Sequence, residues 1–407
     1  MSAGVSDGVC WLGVTEDTAT TTHKPRPRCG PYELLVRIGK GGMASVYLAR
    51  SEIGELVALK VLHPHLGQQP ELVDMLMDEA RIASQLHHPN VVRTLDIGRD
   101  AERYYLVMEY VEGVALDRLL RRSEDARPEL IVPLAIDALR GLSAAHRLTD
   151  EVGRPLELVH RDVTPGNVIV GADGVARIAD FGVAKARARI TKTMPGIVKG
   201  KAGYVAPEVV LGRPDIDGRA DVFSMGVLLY NALTGVTLFD ADDLASTLTQ
   251  LLEHDPSAPS TVGRRPAPIF DAPILGALHR DPEFRHIDAL EMADALEDAL
   301  IVYGDRGREP IRAWVRDAFG AQLGQRRRLA GGNDEVDPES AEPISTSGMI
   351  RRDPTGERVV IPEHFLDDDK PALAPKRPWL RKALIIAGAA IALLAAGLIG
   401  AWIATAG

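Results

Sequence analysis

Two aspartates and an asparagine have the types and spacing to handle a metal ion and a phosphate. Asp162 and Asn167 precede a short β-branched run, Asp180 follows a second run, and a Gly-Ala-Asp-Gly turn joins the two runs. This pattern predicts a β-hairpin with the three side chains at one end. Carboxylate and amide oxygens bind Mg²⁺, and a further carboxylate can accept the proton of an attacking hydroxyl. The segment is therefore suited to metal-assisted phosphoryl transfer.

The residues around this hairpin resemble the protein kinase family, and specifically the bacterial serine/threonine kinases of the eukaryotic (Hanks) type. The resemblance rests on a His-Arg-Asp motif ending at Asp162, on Asn167 in register, and on an Asp-Phe-Gly motif beginning at Asp180. It covers about residues 32–300 of the 407. It implies an α+β fold of two lobes, a small β-rich N-lobe and a mostly helical C-lobe.

A glycine-rich segment upstream is suited to closing over phosphates. Gly39 and Gly41 lack a Cβ, so the backbone can approach a phosphate and point N–H groups at it. Ala44 replaces the third glycine of the family pattern, and the alternating residues 57–60 end in Lys60, which the family uses to grip the α- and β-phosphates. The resemblance implies a nucleotide site that includes Ile38, Gly39, Lys40, Gly41, Gly42, Met43, Ala44, Ser45, Val46, Ala58 and Lys60.

Lys60 needs a counter-ion to hold its position. The helix-like stretch 71–88 supplies Glu79, which matches the family's helix glutamate. Apolar residues recur around it at three- and four-residue spacing, so Glu79 is expected beside the buried stripe of the helix. An ion pair between Lys60 and Glu79 is therefore predicted.

Residues 105–113 predict a strand followed by a connector that ends in a conformationally free glycine. The resemblance makes this the hinge between the lobes. It implies that Met108 lies at the back of the adenine pocket and that the backbones of Glu109 and Val111 hydrogen-bond the base. An edge strand with nothing bound is the alternative that these residues leave open.

Two further carboxylates are expected to have structural roles. Glu208 ends an Ala-Pro-Glu motif, and the resemblance pairs it with Arg285. It also implies that Asp221, in a buried helix, braces the backbone of His160 and Arg161. A buried charge is tolerated only when it is paired, so both carboxylates are expected to have partners.

The basic segment between the Asp-Phe-Gly and Ala-Pro-Glu motifs contains Thr191 and Thr193. Arg161, among other cations, needs an anion. Phosphate on either threonine would add about −1.5 to −2 charge and order the segment. Phosphorylation of Thr191 or Thr193 is therefore predicted, and ordinary exposed loop residues are the alternative.

The chain departs from the family pattern at two positions. Thr164 stands where serine/threonine kinases carry a lysine two residues after the catalytic aspartate, and Lys201 stands where they carry a threonine before the Ala-Pro-Glu motif. In the family fold the two positions face each other beside Asp162. We therefore expect Lys201 to return the missing ammonium from the opposite side.

The resemblance implies ATP as phosphate donor, Mg²⁺ or alternatively Mn²⁺ as metal, and protein serine or threonine hydroxyls as acceptors. Asp162 would orient the hydroxyl and accept its proton, while Asn167 and Asp180 hold the metal. The stretch from Asp162 to Asn167 lacks the Ala-Ala-Arg run of tyrosine kinases. A pseudokinase scaffold without turnover is the alternative, and the complete set of catalytic residue types disfavours it.

Composition and charge narrow the setting. The net charge of −10 is spread along the chain without a nucleic-acid-binding motif, so no nucleic-acid partner is expected. Cys10 and Cys29 lack the spacing of a disulfide framework or a metal site, which fits a reduced cytoplasmic setting. Residues 1–31 predict a flexible tail without a secretory signal.

The last quarter of the chain predicts a membrane anchor. Helical periodicity continues as an extension over residues 301–330, and residues 331–382, acidic and rich in Pro and Ser, predict a disordered juxtamembrane linker. Residues 383–405 carry no charge and are long enough to span a bilayer core, so they predict one transmembrane helix.

Four basic residues within 376–382 flank that helix and predict a single-pass protein of the inner membrane with its kinase domain cytoplasmic. The expected partners are protein substrates and the lipid bilayer. Small residues four apart, as at Gly388 and Ala392, are compatible with helix pairing and hence with a homodimer.

Overall fold

The computed structural model of the chain describes residues 26–64, 73, 77, 80–101, 103–122, 126–181 and 201–331, and the backbone alone at 199–200, 350–352 and 358–360. Several predicted features lie outside these residues: the tail 1–25, Glu79, Gly182, Thr191, Thr193, most of the linker and the segment 383–405. Of the helices in the described residues, none is both long enough and apolar enough to cross a membrane.

A six-stranded antiparallel sheet forms the N-lobe, in the order β1-β2-β3-β4-β6-β5. Successive side chains of a strand point to opposite faces of a sheet, so one face can collect the apolar residues. The strands are β1 (Arg28–Cys29), β2 (Tyr32–Lys40), β3 (Ala44–Arg50), β4 (Leu56–Leu62), β5 (Thr94–Asp100) and β6 (Arg103–Glu109). The apolar cluster of the lobe comprises Cys29, Leu34, Tyr47, Ala49, Val57, Leu59, Tyr105 and Val107.

The folded chain begins earlier than the predicted boundary at residue 32. Strand β1 pairs with the start of β2 across a turn at Gly30, whose φ of 55° lies in the left-handed region that favours glycine. A Cβ at Gly30 would come within 2.5 Å of the Tyr105 hydroxyl. Cys29 is buried in the N-lobe core. Residues 26–31 therefore belong to the folded lobe, although their composition predicts a tail.

The predicted hairpin is present at the top of the C-lobe. Its strands β8 (Val168–Gly171) and β9 (Ala176–Ile178) pair antiparallel, and β7 (Gly113–Ala115) pairs with the other edge of β8. The hairpin is hydrogen-bonded to the segment that precedes β5, since Ile178 N donates to Asn90 O at 2.9 Å. The end of β9, just before Asp180, is thereby fixed to the segment that leads into β5.

The rest of the C-lobe is helical, as predicted. Helices α2 and α5 are buried along most of their length and form its centre. The helices are α1 (Leu116–Arg122), α2 (Pro128–His146), α3 (Lys199–Ala202), α4 (Pro207–Val210), α5 (Arg219–Thr234), α6 (Leu244–Glu253), α7 (Asp271–Ala277), α8 (Ala289–Tyr303) and α9 (Glu309–Gly331). The extension predicted over residues 301–330 thus begins inside α8 and consists mainly of α9.

Glu208 and Arg285 form the predicted ion pair beneath the site. Arg285 Nη1 and Nη2 donate to Glu208 Oε1 and Oε2 at 2.7 and 2.8 Å, and both side chains are buried. The guanidinium also donates to the carbonyl oxygens of His279, Arg219 and Arg280. Its donors are therefore satisfied, which is the condition under which a buried charge is tolerated.

Residues 335–407 form a second compact unit. Its described residues are β10 (Ile350–Arg352) and β11 (Arg358–Val360), which pair antiparallel with Ile350 opposite Val360. Both strands fall within the stretch predicted as a linker.

Candidate active site

The two functional side chains before the hairpin are in contact. Asn167 lies in the 3₁₀ turn Pro165–Asn167 that leads into β8. Its Nδ2 donates to the Asp162 carbonyl at 2.6 Å and to Asp162 Oδ2 at 3.1 Å. Because the nitrogen faces Asp162, the amide oxygen of Asn167 is the atom left to act as a ligand.

Asp180 follows β9 and faces the N-lobe. Its φ of 68° lies in the left-handed region, a conformation that costs energy for a residue with a Cβ and that clusters at functional sites. Lys60 Nζ, on β4, lies 2.7 Å from Asp180 Oδ1. Burial acts to raise the pKa of Asp180, yet the Lys60 ammonium holds that pKa below its ordinary value. The carboxylate is therefore kept charged, as a metal ligand must be.

The partner of Lys60 among the described residues is thus Asp180. The predicted partner, Glu79, lies outside those residues, and the neighbouring residues 80–84 are helical as the sequence predicts. The contact between Lys60 and Asp180 joins β4 of the N-lobe to the end of the C-lobe hairpin. Any group bound between them lies at the seam of the two lobes.

Asp221 braces the catalytic loop as predicted. Its Oδ2 and Oδ1 accept the backbone N–H groups of His160 and Arg161, each at 2.8 Å, and Oδ2 also accepts from His146 Nε2 at 2.8 Å. Arg161 has a φ of 62°, so the bracing holds a strained backbone. Burial acts to raise the pKa of Asp221, but these donors and the neighbouring histidines lower it.

His160 links the two motifs, a role for which we made no prediction. Its Nε2 lies 2.8 Å from the carbonyl oxygen of Ala179, and its ring meets the Phe181 ring edge to face with centroids 4.7 Å apart. The residue before Asp180 is thereby fixed to the loop that carries Asp162. A histidine can satisfy a carbonyl while packing against an aromatic ring, so it suits this buried junction.

Lys201 contacts Asp162 directly. Its Nζ donates to Asp162 Oδ1 at 3.0 Å and to Oδ2 at 2.7 Å. The hydroxyl of Thr164 is buried and has no hydrogen-bond partner among the described residues. Beside the candidate base, the ammonium therefore comes from position 201.

A cleft lies between the lobes, and many of the predicted nucleotide-binding residues line it. From that set the lining includes Ile38, Gly39, Val46, Ala58, Met108, Glu109 and Val111. Other residues of that set, Lys40, Gly41, Gly42, Met43, Ala44, Ser45 and Lys60, are not part of that lining. The lining residues for which we made no prediction are Val92, Tyr110, Gly113, Val114, Ala115, Arg118, Gly166, Ile169, Ala179 and Arg326.

The glycine-rich loop between β2 and β3 is a tight turn. Gly41 N donates to Ala44 O at 2.9 Å, and His63 Nε2 lies 2.9 Å from Gly41 O. A Cβ at Gly42 would meet nothing within 4 Å, so the tip of the loop is open. Ala44 pairs with Leu62 as an ordinary strand residue, which explains why this position tolerates a Cβ in place of the family's third glycine.

The hinge has the predicted form. Strand β6 ends at Glu109, whose N–H donates to Arg93 O at 2.9 Å, and β7 begins at Gly113. Met108 is buried opposite Ala58 of β4. The connector of three residues between β6 and β7 runs along the cleft.

The side chains that could hold a metal ion are Asn167 and Asp180. Both offer oxygen atoms, which Mg²⁺ prefers, and Mg²⁺ usually binds through one or two protein oxygens with phosphate and water completing its shell. Clusters of three or more His, Cys, Asp or Glu side chains suited to a metal are absent from the described residues. Two oxygen donors therefore fit a metal ion whose remaining ligands are phosphate and water.

The matching region of a family model decides the classification. Residues 32–267, more than half of the chain, match the model of the protein kinase domain. The chain belongs to the protein kinase family. Its lobes, hinge, catalytic loop and Asp-Phe-Gly aspartate are those of a kinase domain.

Two curated relatives place this kinase among bacterial proteins. It is 37% identical over 302 residues to tyrosine-protein kinase MasK of Myxococcus xanthus, across 72% of this chain and 47% of that protein. It is 36% identical over 285 residues to a probable serine/threonine-protein kinase of Streptomyces coelicolor, across 68% of this chain and 41% of that protein. The match thus covers less than half the length of either relative.

A solved structure has the same fold. The kinase is similar to the crystal structure of the Mycobacterium tuberculosis PknI kinase domain, with a TM-score of 0.52 and 25% identity. The similarity covers 68% of this chain and 99% of that chain. The remaining third of this kinase therefore lies outside the shared fold.

Proposed function

We propose that the chain is an ATP-dependent protein kinase that phosphorylates serine or threonine hydroxyls. One observation carries the proposal: Asp162 contacts both Asn167 and Lys201, and Lys60 of the N-lobe pairs with Asp180, which lines the cleft. A base, metal ligands and cations at a seam between lobes are what phosphoryl transfer requires.

The residues act as follows. Asp162 accepts a hydrogen bond from the substrate hydroxyl, orients it and takes its proton. Asn167 and Asp180 bind the metal ion through their oxygens, and Lys60 holds Asp180 and the nucleotide phosphates in register. When bound with its metal, ATP supplies the phosphoryl group. The glycine-rich loop covers the phosphates and excludes water.

Lys201 replaces the lysine that is missing at position 164. Its ammonium lies within hydrogen-bond distance of both carboxylate oxygens of Asp162, where a phosphate being transferred to the hydroxyl would also come near. Preorganised cations at such a place stabilise the negative charge of the transition state. In this proposal Lys201 is a catalytic residue, and Thr164 stands at the sequence position where the family carries its lysine.

The activity has two versions, in which the acceptor is either a serine or threonine hydroxyl or a tyrosine hydroxyl. One relative is named a serine/threonine kinase and another, MasK, a tyrosine kinase. The segment from Asp162 to Asn167 favours serine/threonine, because it lacks the tyrosine-kinase run. Phosphoamino acid analysis of the autophosphorylated protein tests this choice, and phosphotyrosine as the main product would overturn it.

Phosphorylation of Thr191 or Thr193 is part of the proposal. Its support is Arg161, whose Nε is buried and has no hydrogen-bond partner among the described residues. A phosphate in the segment that precedes Lys201 would offer that arginine an anion. Mass spectrometry of the purified protein, with Thr191→Ala and Thr193→Ala as separate variants, locates the site.

We also propose where the chain is located in the cell and how it assembles. Residues 383–405 anchor the chain to the inner membrane as one helix, the kinase domain stays cytoplasmic, and pairing of two such helices forms a homodimer. The support is the uncharged stretch with its basic flank. Recovery of the full chain in the soluble fraction without detergent would contradict the anchor.

The activity itself is tested on the full chain in detergent micelles. Radiolabelled ATP with Mg²⁺ and casein as a generic acceptor should give labelled protein, and Mn²⁺ is tested in parallel. Asp162→Asn should abolish the label while leaving nucleotide binding intact. Labelling equal to that variant in the parent chain would instead support a nucleotide-binding scaffold.

A further inference from the structure

Helix α9 (Glu309–Gly331) lies beyond residues 32–267, the part that matches the kinase model. Its buried side chains recur every three or four residues, which places them on one face. They are Ile311, Trp314, Val315, Phe319, Leu323 and, last, Arg326. A stripe that is otherwise apolar thus ends in a buried guanidinium.

The first half of α9 is fixed to the C-lobe. Just before the helix, Arg308 Nη1 and Nη2 donate to the two carboxylate oxygens of Asp137, both at 2.7 Å. Further along, the Phe319 ring lies against the guanidinium groups of Arg118 and Arg122, at 5.1 and 4.7 Å from the ring centroid. Such cation–π contacts are favourable within about 6 Å. These contacts fix the direction in which the helix leaves the lobe.

The second half of α9 crosses the hinge. Arg326 Nη1 donates to the carbonyl oxygen of Gly113 at 3.1 Å, and Arg327 pairs with Glu112. At the end of the helix, Arg50 of β3 donates through Nη2 to Ala330 O at 2.5 Å. One helix therefore contacts the C-lobe, the hinge and the N-lobe in turn.

Arg326 also forms part of the wall of the nucleotide cleft, together with Gly113 and Arg118. Only 7% of the residue is exposed. Gly113 is tightly enclosed on its other side, since a Cβ there would lie 2.3 Å from Val170 O. Gly113 thus has β8 against its Cα and Arg326 hydrogen-bonded to its carbonyl oxygen.

We propose that Arg326 is a positioning residue of the nucleotide site. By holding the Gly113 carbonyl it fixes the backbone of the hinge connector along which the adenine nucleotide binds. Through the contact between Arg50 and Ala330, the same helix sets the separation of the lobes. The inference rests on the proposed function, because it assumes that the cleft binds ATP.

The test measures nucleotide affinity directly, on the full chain in detergent micelles. Calorimetric titration gives the Kd for ADP and for a non-hydrolysable ATP analogue. Arg326→Ala should raise both Kd values about tenfold, because a hydrogen bond from a charged donor contributes enough to shift an equilibrium by that factor. Arg326→Lys keeps the charge and should recover part of the loss.

Steady-state kinetics separate positioning from general damage. Arg326→Ala should raise KM for ATP about tenfold in step with Kd, while kcat stays within about twofold of the parent and KM for casein is unchanged. Arg316→Ala is the matched control: it removes one arginine from the same helix at a side chain that is 63% exposed. Its Kd should equal that of the parent.

The contact with the N-lobe has its own pair of variants. Arg50→Met removes the donor to Ala330 and should also raise Kd. Arg50 additionally pairs with Glu33 at 3.5 Å, and Glu33 also pairs with Arg26 at 3.8 Å. Glu33→Gln removes both of these ion pairs, keeps the Arg50 donor to Ala330, and should leave Kd unchanged.

The outcomes are distinct. A parent chain that fails to bind nucleotide contradicts the proposed function. A parent that binds, with Arg326→Ala and Arg50→Met both within twofold of it, overturns this inference alone. If circular dichroism shows Arg326→Ala to be unfolded, Arg326→Lys and Arg50→Met decide: raised Kd values support the inference, and parental values overturn it.

Discussion

Lys201 and Asp162 form an ion pair across the active site, with Nζ 2.7 Å from Oδ2 and 3.0 Å from Oδ1. Lys201 belongs to α3 (Lys199–Ala202), on the far side of the segment that carries Thr191 and Thr193. The candidate base is therefore in contact with a residue that follows that segment in the sequence.

Lys201→Ala should lower kcat about a hundredfold, the usual effect of losing one preorganised donor to a transition-state charge. The exchanged variant, Thr164→Lys with Lys201→Thr, restores the ammonium from the other side and should recover most of the rate. Single-turnover labelling with radiolabelled ATP measures both variants. Arg154→Ala, which removes an exposed cation, serves as the control. If Lys201→Ala is as fast as the parent, Lys201 does not supply the ammonium that is missing at position 164.

Asp221→Asn should destabilise the folded protein by about 3 kcal/mol at neutral pH, because it removes a buried charge from paired donors. The folded pKa of Asp221 is lowered, so its contribution is present above the unfolded pKa near 3.8 and is lost as pH falls through the folded pKa. The free energies of unfolding that urea titration gives for parent and variant should therefore differ by the full amount at pH 7. The difference should narrow only below about pH 3.8; a constant difference down to lower pH contradicts the linkage.

The buried Glu208–Arg285 pair should matter far more than an exposed one. Arg285→Ala leaves Glu208 buried without a partner and should cost about 3–5 kcal/mol of unfolding free energy. The pair between Arg147 and Asp288 is similarly short, at 2.8 Å, but has exposed side chains, so Arg147→Ala should cost less than about 1 kcal/mol. Denaturant unfolding of both variants measures the two losses of unfolding free energy. Equal losses would show that burial is not the cause.

Cys29 should resist thiol reagents in the folded protein. Burial, with a smaller effect from Asp100, raises the pKa of its thiol to about 11, so little reactive thiolate exists at pH 8. In a Cys10→Ser background Cys29 is the single cysteine. Its alkylation by iodoacetamide should be at least ~100-fold slower in buffer than in urea. Similar rates in the two conditions would mean that β1 is not part of the folded sheet.

Much of the site could be predicted because short motifs carry both residue type and spacing. The hairpin, the Asp221 brace and the Glu208–Arg285 pair follow from segments of this kind, and Lys201 was found as an exchange of types between two motif positions. All four agree with the observed contacts. The roles of these residues in turnover remain predictions that the experiments above test.

The rest depends on contacts between distant parts of the chain, for which local pattern carries no signal. Arg326 contacts Gly113, which lies 213 residues earlier in the chain. The sequence around Arg326 predicts only an amphipathic helix. Strand β1 is two residues long, too short to show alternation, and only its partner β2 makes it a strand. The ion pair between Lys60 and Asp180 joins two motifs that we assigned separately, one to phosphates and the other to metal.

The contact between Arg308 and Asp137 has a practical consequence for choosing fragments of this protein. Burial raises the pKa of Asp137, and the hydrogen bond from Arg308 is the largest of the effects that oppose this. A fragment cut at the end of the matched region, residue 267, would leave that carboxyl without its arginine partner and would remove Trp314 and Phe319 from the C-lobe core. Recombinant work on the catalytic unit should therefore retain residues 26–331, which include both the Arg308–Asp137 contact and the buried face of α9.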